Sequence, residues 1–147
     1  MIKISKEKER FIKMRNEVLE GFNQIDFFIS FVISFYYFKM IENDFIEDVL
    51  YDISFSSYSR FRIFKKITKN LNLYEPKIFN NLEKIPRIRN FFAHCFTITP
   101  HNMKIKFEVF QLKKPDINYK KEYERFKVMR KNILLYITKI WGNIIGM

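Results

Sequence analysis

The sequence predicts an all-α fold, a bundle of four to five helices carrying one short β-hairpin. Apolar residues recur at intervals of three and four over long stretches at both ends of the chain, and capping and turn residues fall between the stretches. Only Lys104 to Leu112 alternates at period two. No internal repeat, Gly/Ser-rich linker or low-complexity tract divides residues 1–147, so one domain is expected. Hydrophobic residues make up 48% of the 147 residues, with 18 Phe among them, which is ample material for a core and argues against disorder.

Ser5 suits the N-cap of a first long helix reaching Met40, on which Phe11, Met14, Val18, Phe22, Ile25, Phe28, Ile29, Val32, Phe35 and Tyr36 follow helical spacing. Gly21, in mid-pattern, is a candidate bend. Asn43 or Asp44 can cap a short second helix, Phe45 to Ile53, and SFSSYS then connects to a third, Ser59 to Leu71. Phe61, Phe64 and Ile67 form the apolar side of that helix, which leaves Arg60, Arg62, Lys65, Lys66 and Lys69 mostly to solvent. Such a run is usually a solvated face and is also a track for a phosphate backbone.

Pro76 fits the first turn of a fourth helix striped by Ile78, Phe79, Leu82, Ile85, Ile88 and Phe92. Pro86 within it removes a backbone donor and is expected to kink the helix or restart it before Arg89. Pro100 to Asn102 then reads as a turn of the hairpin, Pro115 and Asp116 punctuate again, and Tyr119 to Ile145 closes the chain as a long helix.

Charge and composition narrow the function. Lys and Arg number 27 against 16 Asp and Glu, a formal charge of +11 that favours anionic partners, nucleic acid first, although Lys-, Asn- and Ile-rich composition also follows AT-rich coding DNA. Cys95 is the single cysteine, so no intramolecular disulfide forms and a cytoplasmic setting is expected. It reads as a small apolar residue, with nothing nearby to activate a thiolate. His94 and His101 with one Cys fall short of a zinc cage, and the acids lack calcium-loop spacing, so no metal and no cofactor is expected. The uncharged run FFISFVISFYYF, Phe27 to Phe38, is shorter than the roughly 20 residues a spanning helix needs, and MIKISKEKERFIK has no apolar signal core; no membrane partner is expected.

The segment Ile88-Arg89-Asn90-Phe91-Phe92-Ala93-His94 sets an Arg five residues before a His near a predicted helix end. Asn90 and His94, four apart, share a face, and Arg89 stands about 140° around the axis from His94, so the pair flanks a surface. RNFFAH resembles the motif of the HEPN superfamily, Arg followed after four to six residues by His with a polar residue beside the Arg. The resemblance covers essentially the whole chain, since the aromatic-rich first helix, the helix in SYSRFRIFKKI, the helix ending in IRNFFAH, the short strands and the closing helix come in the family's order. It implies an up-and-down HEPN-like bundle, a homodimer with a composite active site where two motifs meet, and RNA cleavage without metal by Arg89 and His94, with Asn90 orienting one of them. It also implies a toxin or antiphage-defence setting, with an antitoxin or defence-system partner. Some HEPN toxins carry His-x-Tyr with a modifiable Tyr; here His94-Cys95-Phe96 stands instead, which speaks against that form of neutralisation.

The residues support this chemistry independently. Histidine exchanges protons near neutral pH, which suits a base for an RNA 2′-hydroxyl or an acid for the leaving 5′-oxygen, and the guanidinium fork binds phosphate and offsets charge at a pentacoordinate phosphorus. Three alternatives remain: Arg89 and His94 as carbonyl caps or acid partners at a helix end, a non-catalytic HEPN-like module that binds RNA or nucleotide or mediates assembly, and a basic membrane-surface protein. His101 reads as a solvated turn residue, and Trp141 and the aromatics of the first helix as core or dimer contacts.

Overall fold

The computed structural model describes residues 6–52, 56–94 and 118–147, and all regular structure among them is helical. Four α-helices, α1 (Lys6–Phe38), α2 (Ser57–Asn70), α3 (Pro76–His94) and α4 (Tyr119–Ile145), are joined by a short π-helical segment, Phe45–Leu50, between α1 and α2. The expected cap Ser5, Cys95, His101 and the hairpin Lys104 to Leu112 lie outside the described residues.

Helix α1 is the hub, touching every other helix. Phe11 stacks on Phe92 of α3 at 5.6 Å and meets Tyr119 of α4 edge-on at 5.3 Å. At the other end Phe35 lies 5.1 Å from Trp141 of α4, and Tyr36 accepts a hydrogen bond from Asn70 of α2. These pairings make α2 and α4 run parallel to α1 and α3 antiparallel to all three, with the π segment returning the chain between α1 and α2. Phe11, Val18, Ile25, Ile29 and Ile33 are fully buried along α1. By length and composition Lys8–Phe38 suffices to cross a membrane, which Phe27 to Phe38 alone does not, but its burial is that of a bundle's central helix. Phe28, read as part of the apolar stripe, is 38% exposed.

Several local expectations are corrected. Asp44 is itself helical and makes no side-chain cap, and the second helix is wound as π, closed by Tyr51 N–H donating to Ile46 C=O at 2.9 Å. Helix α2 starts two residues earlier than expected because Ser56 caps it, accepting from Ser59 N–H at 3.3 Å. It ends in a Schellman turn: Asn72 takes φ 55°, Asn72 N–H donates to Lys69 C=O, and Leu73 N–H to Thr68 C=O. Helix α3 runs unbroken through Pro86 and does not restart before Arg89.

Arg60, expected on the solvated face of α2, is buried. Its guanidinium grips Asp26 of α1 with Nε at 2.6 Å and Nη2 at 2.5 Å, donates Nη1 to the Leu50 carbonyl of the π segment and lies 4.8 Å from the Tyr51 ring. Asp26 also accepts from Ser57. One buried cation therefore ties three elements together.

Gly21 serves packing. A Cβ there would stand 3.0 Å from the Phe126 ring and from Arg130 Cδ on α4, so the missing side chain sets how closely α1 and α4 approach. Gly21→Leu is expected to lower stability by about 1–3 kcal/mol in urea denaturation, because the extra carbons force the helices apart.

Tyr123 of α4 donates its hydroxyl to the Glu17 carboxylate of α1, and that bond, with burial second, pushes its pKa up to about 12 from the usual 10.0. A raised folded-state pKa means the contribution is intact below pH 10 and lost as pH rises from there toward about 12. Absorbance titration is expected to show a late tyrosinate that is lost in Tyr123→Phe and titrates earlier in Glu17→Ala, whereas an unchanged profile in Glu17→Ala would reject the bond as its source.

Candidate active site

Helix α3 carries every residue of the RNFFAH motif that the structure describes, and its own core positions fix their directions. Ile78, Phe79, Leu82, Ile85, Ile88, Phe91 and Phe92 are buried. Arg89 projects from the edge of that buried side: its guanidinium lies 5.6 Å from the Phe22 ring of α1, and Nη1 donates to Asn90 Oδ1 at 2.9 Å. Its Nε is buried without a hydrogen-bond partner, and no carboxylate pairs with the side chain among the described residues. A half-buried guanidinium with an unused donor is costly unless something else meets it.

Glu83, Arg87, Asn90 and His94 are spaced four, three and four apart and so line one face of α3. His94 is exposed at the helix end, one turn beyond Asn90 and about 7.5 Å along the axis from Arg89 by the helical rise. It makes no hydrogen bond or ion pair among the described residues. Arg15 of α1 donates Nε to the Phe92 carbonyl at 3.1 Å and so satisfies one of the terminal carbonyls of α3.

A groove of about 710 Å³ opens between α2 and α3. Phe22 of α1 contributes at its base, Tyr58, Phe61, Arg62 and Lys65 form the α2 wall, and Glu83, Pro86, Arg87, Arg89 and Asn90 form the α3 wall. Arg62, Lys65, Arg87 and Arg89 face a single acid, Glu83, so the groove is strongly cationic. The sequence-predicted Arg89 and Asn90 are brought together in it; His94 is not among its lining residues and stands just past its end on the same face of α3. Phe22, Tyr58 and Arg87 were not foreseen as site residues. Of these only Arg87 left a signal, two positions before Arg89 in PRIRN.

Among the described residues no three His, Cys, Asp or Glu side chains gather to hold a metal ion. The polar chemistry on offer is an immobilised guanidinium, an amide beside it, cations along a groove with no carboxylate partner among the described residues, and an exposed imidazole beyond its lining: groups suited to binding a phosphodiester and moving a proton near it. Comparison of the chain with protein-family models, with curated proteins and with solved structures finds no match.

Proposed function

We propose that the chain is a HEPN-type endoribonuclease that cleaves RNA without metal, acts as a toxin or antiphage-defence effector, and works as a homodimer in which two Arg89–His94 pairs form one composite site. The observation that carries this reading is Arg89: held by Phe22 and Asn90, unpaired with any acid among the described residues, and set on the wall of a cationic groove with His94 one and a half turns further along the same helix.

In the proposed reaction one imidazole takes the proton of the 2′-hydroxyl, O2′ forms a bond to phosphorus, and the P–O5′ bond breaks as a second imidazole protonates O5′. Two His94 side chains, one from each protomer, divide the base and acid roles. The Arg89 guanidinium meets the charge that builds on the phosphoryl oxygens. The products are a 2′,3′-cyclic phosphate and a 5′-hydroxyl, and DNA, lacking the attacking group, is not cut.

The position of His94 outside the groove favours a second reading, a non-catalytic RNA- or nucleotide-binding module. Purified protein incubated with mixed cellular RNA in excess EDTA, beside Arg89→Ala and His94→Ala, separates the two. Cleavage by wild type alone, with cyclic-phosphate ends, supports the ribonuclease. RNA left intact, or cut equally by all three proteins, rejects it.

A further inference from the structure

The α2–α3 groove has a chemistry of its own beyond Arg89. Arg62 on α2 and Arg87 on α3 are exposed on its opposite walls, and Lys65 Nζ lies 5.6 and 5.9 Å from the centroids of Tyr74 and Phe79, whose rings stack on each other. None of the three is paired with a carboxylate among the described residues. Their positive charge is therefore uncompensated in the groove except by Glu83 on the α3 wall.

Tyr58 adds the second element. It sits in the first turn of α2, lines the same groove and is 64% exposed, and neither ring contact nor hydrogen bond engages it among the described residues. A single exposed aromatic is ordinary on a protein surface. Tyr58 differs by its place at the mouth of a cationic groove, where phosphate-binding groups and a free ring face the same space. Cations that track phosphates, with an aromatic face that takes a base, are the two parts of a single-strand binding surface. An RNA duplex turns its base faces inward and offers that ring nothing to stack on, whereas every unpaired base does.

We propose that this groove is the strand-binding subsite of the same site, taking an unpaired RNA segment with one base stacked on Tyr58 and neighbouring phosphates held by Arg62, Lys65 and Arg87. The inference rests on the ribonuclease reading and names its substrate class: single-stranded loops and tails. Arg89, on the α3 wall, receives the phosphate that the strand delivers. Glu83 supplies an acceptor for a base amino group or a ribose hydroxyl and keeps phosphates off its part of that wall.

The test is fluorescence anisotropy of a labelled, unstructured RNA oligonucleotide and of its duplex, with His94→Ala as the background so that the RNA stays intact. Single strand is expected to bind more tightly than duplex. Tyr58→Ala is expected to weaken single-strand binding about tenfold, with Tyr58→Phe restoring it. The double variant Arg62→Gln/Arg87→Gln is expected to flatten the log–log salt dependence by about 0.7 for each phosphate that is no longer neutralised. All these side chains are exposed, and unchanged circular dichroism checks that each variant folds. Equal affinity for duplex, or no effect of Tyr58→Ala, overturns the inference while wild-type cleavage still decides the ribonuclease reading. Binding losses as expected with no cleavage by wild type uphold the groove as an RNA site and remove the ribonuclease reading.

Discussion

Alanine at position 94 is expected to reduce RNA cleavage by about 10²- to 10⁴-fold, the usual worth of a positioned acid or base, while leaving RNA affinity and thermal stability as they were. The stability half follows from the exposure of His94 and its lack of any bond among the described residues. Arg89→Ala is expected to lose about 10²- to 10³-fold, on the scale of removing one preorganised donor from a developing anion. Arg89→Lys separates charge from geometry: the charge stays, the fork and its bond to Asn90 do not, and activity is expected to remain low. Rates against a single-stranded substrate, read with melting curves, check all three. A fully active His94→Ala enzyme would end the case for this imidazole as acid or base.

The largest stability effect is expected away from the site. Both side chains of the Asp26–Arg60 pair are only 7% exposed, so removing one strands the other as a buried charge. Asp26→Ala or Arg60→Met is expected to cost about 3–5 kcal/mol. For a chain of this size that is a fall in Tm of about 10 °C. Replacing both together, Asp26→Leu with Arg60→Met, is expected to recover most of the loss, since well-packed apolar side chains replace buried pairs at little cost. Arg60→Met alone has a further effect, because the Leu50 carbonyl then loses its donor and the π segment its tether to α2. A double variant whose loss equals the sum of the two single losses would show that the pair is not coupled.

What could be read from the sequence was what depends on one helix at a time. The bounds of α4 coincide with the expected Tyr119 to Ile145, and Pro76 opens α3 as its fixed φ suggests. Arg60 was misplaced because its apolar neighbours Phe61 and Phe64 describe only the helix's own stripe; the acid that draws it inward is 34 residues away on α1. The π winding was hidden for a similar reason, since an extra residue per turn leaves little trace in a stretch as short as Phe45–Leu50. The same limit holds at the site. Arg89, Asn90 and His94 share one helix and could be singled out by spacing, whereas Phe22, Tyr58 and Lys65 join Arg89 only once α1 and α2 have packed on α3. Asn90 accepts a hydrogen bond from Arg89.

The parallel pairing of α1 with α4 has a consequence in time. Phe11 meets Tyr119, Glu17 meets Tyr123 and Gln24 meets Arg130, so α1 is completed by a helix made about a hundred residues after it. Ribosomes add about 5–20 residues per second, which leaves the apolar row of α1 waiting roughly 4–18 s for Phe126 to be made. During that interval α1 has, among the described residues, α2, α3 and the π segment to pair with, and the face around Gly21 stays open to water and to other nascent chains. Contacts so distant in sequence also slow closure of the bundle. The step that finishes the core is thus the arrival of α4, and the chain is most vulnerable to aggregation just before it.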